Sequence, residues 1–253
     1  MDLDSSPLRC PVDRAELASV PAGLRCTGCG RDYQLVDGIP DLAYSPLPDV
    51  DGHTAYIWSD VFYLENLLAQ FVEPGATVVE VCSGGNIVVP LLLSRLGIQV
   101  SYWSVGTDLG HLRQQREGVA FDIHTVRGDA TALPFASSTV DLYIGHHAIN
   151  DVWLSKGDAG VEASYVEMDR LLRPDGYLIQ SDVHLQHDAR VGDPSTKIVD
   201  LRGLIAFLSA RGYRWVRQNG GELDWVVASR ERSCDIRPPS GYVLPPSPPV
   251  GQY

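Results

Sequence analysis

An α/β fold with a mostly parallel sheet is what this sequence predicts, on three observations. Between residues 52 and 230, short runs rich in β-branched residues alternate with stretches of helical spacing. The run Thr77–Cys82 ends at Ser-Gly-Gly and opens into a helix, as the first strand of an α/β unit does. The 44% of hydrophobic residues is ordinary for a soluble globular chain, and no apolar run reaches the ~18–20 residues of a membrane helix.

The elements follow in order. Tyr56, Trp58, Phe62 and Tyr63 fall in a predicted helix whose Val61, Leu64, Leu68 and Phe71 pack inward. After the strand Thr77–Cys82 comes a helix over Ile87–Leu96, a strand over Val100–Val105 and a helix over Leu109–Glu117. His124–Val126 is a short third strand, and Val140–Ile144 a fourth. A helix ends over Tyr165–Leu172, Arg173–Gly176 stops the chain in a turn, and Tyr177–Ser181 is the fifth strand. Val199–Ala210 spaces Leu201, Leu204, Ile205 and Leu208 as a helix does, and Tyr213–Arg217 and Trp225–Ala228 close the sheet. Ligands of such sheets bind beyond the C-terminal strand ends. That places the site at 82–86, 106–108, 128–130, 145–151 and 182–187.

The chain divides into residues 1–45, 46–232 and 233–253. The last part holds six prolines between 235 and 253, which suits an extended tail. Three of the five cysteines lie in the first part, a distribution that suits metal binding or free thiols better than a disulfide framework. The N-terminus lacks the basic and apolar regions of a secretory signal, so a cytoplasmic protein is expected. A net charge of −12 argues against a phosphate backbone as the main partner.

Five segments in order resemble class I S-adenosylmethionine (SAM) methyltransferases. Val79-Glu-Val-Cys-Ser-Gly-Gly-Asn86 looks like their acidic, glycine-rich first motif, and Gly106-Thr-Asp108 like the end of their second strand. Arg127-Gly-Asp-Ala-Thr-Ala-Leu-Pro-Phe135 is similar to the segment after their third strand. Val140–Ile144 and Glu167–Gly176 with Tyr-Leu-Ile resemble the fourth strand and the fifth-strand entry. The resemblance spans roughly residues 75–230. It implies a Rossmann-like, seven-stranded sheet.

It also implies roles. Glycines at 84 and 85 let the backbone approach a ligand. Glu80, Cys82, Ser83 and Asn86 complete that turn. Asp108, with Leu109 beside it, would accept the ribose hydroxyls. Asp129 would accept the adenine amino group, with Gly128 and Ala130 flanking the ring. Cys82 and Asn86 stand where the family has glycine, so Cys82 should press on the methionine part and Asn86 should need positive φ. Gly145, His146, His147, Asn150 and Asp151 would line the acceptor end. Either histidine suits a general base there, and Asn150 equally suits a helix cap. Asp182, His184 and His187 with His146 or His147 form a possible metal set, set against plain surface histidines.

Leu8-Arg-Cys-Pro-Val-Asp13 and Leu24-Arg-Cys-Thr-Gly-Cys29 are similar knuckles. They resemble the small zinc ribbon that accompanies and activates methyltransferases, with Asp13 in place of a cysteine. Cys10, Asp13, Cys26 and Cys29 would hold Zn²⁺, against a degenerate ribbon without metal.

The expected function is methyl transfer from SAM to a small molecule, as in specialised metabolism. One alternative is a SAM cyclase or lyase that releases methylthioadenosine. Another is a non-catalytic partner protein of the same fold. Nucleic acid and membrane are not expected partners, and an oligomer is compatible with the sequence.

Overall fold

The computed structural model describes residues 6–43, 58–118, 121–146, 148–183, 201–219 and 223–237. The predicted Tyr56 position, His147, His184, His187 and residues 238–253 of the proline-rich tail lie outside them. The N-terminal part is a four-stranded antiparallel sheet of β1 (Leu17–Val20), β2 (Gly23–Cys26), β3 (Asp32–Val36) and β4 (Ile39–Pro40). Then come α1 (Trp58–Phe71), β5 (Thr77–Val81), α2 (Val88–Leu96), β6 (Ser101–Gly106), α3 (Leu109–Gly118) and β7 (Ile123–Arg127). The rest comprises β8 (Val140–His146), α4 (Ala148–Leu171), β9 (Leu172–Val183), α5 (Arg202–Ala210), β10 (Arg214–Asn219) and β11 (Leu223–Ser229).

The large sheet has seven strands in the order β10-β11-β9-β8-β5-β6-β7. β9, β8, β5, β6 and β7 run parallel; β11 runs antiparallel to β9, and β10, antiparallel to β11, points the same way as the parallel set. This is the Rossmann-like methyltransferase sheet that the sequence predicts. β5 starts the parallel set and pairs with β6 on one side and β8 on the other. The crossovers therefore part at β5 and leave a crevice at its C-terminal end, between β5 and β8.

Apolar alternation along each strand fills two cores. On one face Val78, Leu142, Ile144, Ile179 and Val227 meet α1 and α2 through Tyr63, Leu67, Leu68, Val89 and Leu93. On the other, Val79, Val81, Tyr143, Leu178 and Val226 meet α4 and α5 through Val161, Met168, Leu204 and Leu208. Leu67 and Leu68 are wholly buried, a burial that stabilises by about 1.5–3 kcal/mol per side chain. α2 ends at Gly97, whose φ of 70° only glycine adopts without strain, and Ile98 N–H closes on Leu93 O at 3.0 Å.

The fifth-strand entry differs from the sequence reading. Arg173–Gly176 is not a turn outside the sheet, because α4 passes straight into β9 at Leu172. Val140 pairs with Leu172 and Leu142 with Tyr177, so the four residues Arg173–Gly176 bulge against Asp141 alone. Proline is tolerated in that bulge because its missing N–H breaks no regular ladder bond.

The small sheet continues the edge of the large one. Asp41 bridges Arg127 in parallel, and Leu42 N–H donates to Arg127 O at 2.8 Å. Leu8 bridges Phe135, with Arg9 N–H on Pro134 O and Ala136 N–H on Pro7 O, both at 2.9 Å. Leu8, Leu24 and Leu42 share one core with Leu133, Phe135, Val126 and Trp103.

Candidate functional site

The glycine-rich turn leaves β5 at the crevice. Cys82 has φ 56° and Gly84 φ 57°. Asn86 is not in the left-handed region, contrary to the sequence expectation; Cys82 is. Asn86 instead folds its side chain onto the helix it precedes. Its Oδ1 accepts from Val88 N–H at 3.0 Å, an Asx turn that leads the chain into α2. Cys82 adopts the conformation that a glycine would hold there, at a cost of about 1–3 kcal/mol set against the surrounding structure.

That surrounding structure includes a residue without any sequence signal. Gln115 of α3 is 1% exposed. Its Nε2 lies 2.8 Å from Ser83 Oγ and 2.9 Å from both Gly84 O and Asn86 O. Ser83 Oγ also meets Ser104 Oγ at 2.9 Å. The turn is clasped from α3 and β6 together. A Cβ on Gly128 would come within 2.9 Å of Val105 Cγ1, a stiff neighbour, whereas one on Gly85 would meet first the tip of the Gln114 side chain, at 2.9 Å.

Glu80 is 1% exposed and accepts from the Tyr102 hydroxyl below the turn. Together with Asp151 and Asp129 it acts on Cys82. Burial first, then these three carboxylates, push the Cys82 thiol far above its usual range. A thiol so placed stays protonated at neutral pH and is no nucleophile.

Asp108 closes β6 and caps α3, which begins at Leu109. Its Oδ1 accepts His111 N–H at 2.8 Å, and this bond foremost holds its carboxyl below the usual value. Asp129 follows β7, between Gly128 and the buried Ala130. Asp129 is 3% exposed. Its Oδ1 accepts from Thr131 N–H at 2.9 Å and Thr131 Oγ1 at 2.7 Å, and its Oδ2 pairs with Lys156 of α4.

At the end of β8, a Cβ on Gly145 would collide with the side chain of Gln180. His146 points to the other face. The register lines it up with Ser181 of β9 and Trp225 of β11. His146 Nδ1 lies 2.6 Å from Ser181 Oγ, and its ring stacks on Trp225 at 6.0 Å and 29°. His146 is 4% exposed and Ser181 wholly buried. The serine and the indole thus fix the imidazole in place and plane. Asn150 and Asp151 open α4, and Asn150 Oδ1 is a buried acceptor with no partner among the described residues. Asp182 lies in β9.

The N-terminal cysteines gather as the spacing predicts. Ligand atoms of Cys10, Asp13, Cys26 and Cys29 all lie within 4.8 Å of one another. Cys10 Sγ and Cys29 Sγ are 3.8 Å apart. Tetrahedral bonds of about 2.3 Å to a single ion put two sulfurs at roughly that separation. Backbone N–H groups of Val12, Gly28 and Cys29 point at the sulfurs, at 3.3–3.4 Å. Donation from Cys10 and Ala15 holds Asp13 down at about 2, whereas burial lifts the Cys26 thiol to about 11. Any cation entering here must displace the Cys26 proton.

Residues 79–180 match a family model described as a methyltransferase domain, and the turn, Asp108, Asp129 and His146 all fall inside that span. This span is similar in sequence to a methyltransferase domain. Solved structures share its fold. A SAM-dependent methyltransferase from Aquifex aeolicus is 18% identical with a TM-score of 0.52, over 69% of this chain and 98% of that one. A chain from the complex between the Haloferax volcanii Trm112 methyltransferase activator and a methyltransferase is 13% identical with a TM-score of 0.56, over 69% and 90%. The cyclase SpnF is 13% identical with a TM-score of 0.54, over 73% and 86%. At these identities the likeness is one of fold. No curated protein matches the chain. No helix among the described residues is long and apolar enough to cross a membrane.

Three residues of this site had no signal in the sequence: Gln115, Lys156 and Ser181. The first two sit on helices as ordinary polar residues, and Ser181 is one more small residue in a strand. Only their tertiary partners reveal them.

Proposed function

We propose that the methyltransferase domain binds SAM in the crevice beyond β5 and β8 and directs its methyl group to a small-molecule acceptor. The observation that carries this reading is the convergence of the clasped 82–86 turn, Asp108 and Asp129 at the ends of three adjacent parallel strands. The residues fit such a ligand. Cys82 keeps a glycine-like backbone, so the turn retains its shape, and two carboxylates stand ready as acceptors for hydroxyl and amino donors. When bound, SAM supplies an electrophilic methyl on a sulfonium, and positioning provides most of the rate.

The chain's part is to seat and to deprotonate. Asp108 holds the ribose hydroxyls, and Asp129 the base. His146, with Nδ1 engaged by Ser181, takes a proton from the acceptor hydroxyl or amine through Nε2. Asn150 and Asp151 hold polar groups of the acceptor. The net charge of −12 favours a small acceptor over a nucleic acid. Separately, Cys10, Asp13, Cys26 and Cys29 hold Zn²⁺, supported by their mutual spacing.

Cys82 favours a second reading. A side chain where a glycine is expected crowds the amino-acid arm of SAM, and an arm folded on itself would yield methylthioadenosine without an acceptor. The cyclase SpnF has this fold too, and a shared fold does not fix the chemistry. Calorimetric titration with SAM and with S-adenosylhomocysteine tests the cofactor, with micromolar binding expected. Incubation with SAM alone then separates the readings: accumulating methylthioadenosine favours the second, and product only with an acceptor favours the first. Binding of neither ligand would overturn both and point to a partner protein.

A further inference from the structure

We infer that Lys156 is a specificity-determining residue of the adenosyl seat: its ammonium occupies the Asp129 oxygen that a 6-amino purine would use, so lysine and ligand compete. This rests on the reading of Asp129 as the acceptor for the base.

The competition follows from the bonding at Asp129. Oδ1 is committed to Thr131 N–H at 2.9 Å and Thr131 Oγ1 at 2.7 Å. Oδ2 is therefore the oxygen left to receive a ligand, and Lys156 Nζ sits on it. The same Nζ lies 3.1 Å from Thr131 Oγ1, so the ammonium is held at two points. The Asp129 side chain is only 4% exposed, and a carboxylate so buried needs a charged or donating partner at all times. In the ligand-free chain the lysine is that partner. An adenine amino group brings a second donor to the same oxygen, where its N–H meets the like-signed N–H groups of the ammonium.

The backbone is shaped for this lysine. A Cβ on Gly160 would collide with the Lys156 stem, so the glycine one turn later clears its path. Gly157 follows directly, at φ 66° and ψ −164°, a conformation that essentially only glycine adopts. The helix is broken there, and Trp153 Nε1 bonds Asp158 Oδ1 at 2.8 Å across the break. The arm 148–156 joins 158–171 at this glycine and is held in the core by Ala148, Ile149 and Val152. The same arm carries Asn150 and Asp151.

The chemistry also predicts which ligands gain. A 6-oxo purine presents an acceptor and an N1–H. It would satisfy Lys156 and Asp129 together, whereas a 6-amino purine must displace the lysine.

The test compares S-adenosylhomocysteine with its deaminated analogue, S-inosylhomocysteine, by calorimetry on the full chain. Lys156→Met should bind S-adenosylhomocysteine about tenfold tighter, the gain expected when a seat open roughly a tenth of the time becomes always open. Its affinity for the inosyl analogue should stay level or fall. Unchanged or weaker S-adenosylhomocysteine binding by a folded Lys156→Met overturns the proposal. Asp129→Asn separates the two layers: if it binds like the wild type, the reading of Asp129 fails, and the proposal with it. Binding by neither wild type nor Lys156→Met overturns both. Should Lys156→Met not fold, acetylation of Lys156 in the wild-type chain is followed by mass spectrometry. Saturating S-adenosylhomocysteine should speed its modification severalfold, and an unchanged or slower rate counts against the competition.

Discussion

Asp129 shows how one side chain carries several obligations. It is almost fully buried, braced by Thr131 and paired with Lys156. Replacing it with alanine removes a buried acceptor, and affinity for S-adenosylhomocysteine should fall by about 1–3 kcal/mol. Titration of the folded variant checks this, and an unaltered affinity would remove Asp129 from the seat. Ser181 carries the complementary prediction at the acceptor end. Ser181→Ala should leave cofactor affinity intact while shifting the pH dependence of turnover, because Nδ1 of His146 loses its anchor at 2.6 Å. A profile that superimposes on the wild type would reduce Ser181 to packing. The linear motif made Glu80, Gly84, Gly85, Asp108 and Asp129 legible, since they are local to one strand end each. Asn86 was misjudged because its side chain solved the geometric problem by an Asx turn ahead of α2, and the positive φ moved to Cys82.

At the level of elements, the turn after β5 is held from outside itself. From α3, Gln115 Nε2 shares its two N–H groups among three acceptors, so the turn and that helix form one unit. Gln115→Leu keeps the volume and removes every donor. It should destabilise the chain by about 1–3 kcal/mol, readable in a denaturant titration, and weaken cofactor binding as well. The strand and helix order was legible because periodicity is local. The bulge at Arg173–Gly176 was not, because only pairing with Val140 and Leu142 shows that the segment stays in the sheet. In the small sheet, the cysteine spacing was legible, and Cys10, Asp13, Cys26 and Cys29 gather as it implies. Chelation by a strong ligand for Zn²⁺ should lower the melting temperature by several degrees, since so small a sheet has little core of its own. An unchanged melting curve with no metal found by elemental analysis would leave the cluster as a thiol–carboxylate hydrogen-bond network.

Across the whole molecule, the knuckle around Asp13 reaches the loop after β7 through one arginine. Arg14, with φ 63°, donates to Leu133 O at 2.6 Å and pairs with Glu167 at 2.9 Å. Glu167 in turn accepts Leu133 N–H at 2.7 Å and pairs with Arg170 at 2.8 Å. Both ends of the 129–133 segment are thereby tied, one to α4 through Lys156 and one to the small sheet. Arg14→Ala removes one charged donor from both Glu167 and the Leu133 carbonyl, each of which keeps Arg170. Stability should fall by about 1–2 kcal/mol in a denaturant titration, and a loss below ~0.3 kcal/mol would mean that the apolar contact alone holds the two sheets together. No sequence motif pointed to Arg14, because its partners lie more than a hundred residues away.

The place where residues 41 and 42 lie along β7 has a further consequence. Every open sheet ends in a strand with unused N–H and C=O groups, and such a strand recruits another chain unless something blocks it. Here the chain blocks its own edge. Leu42 and Asp41 pair with Arg127, and Leu8 and Leu24 cover Phe135 and Val126. A chain shortened to begin after residue 45 would bare that edge together with a greasy patch beside it. Such a fragment should clump on purification, whatever its cofactor site can still do.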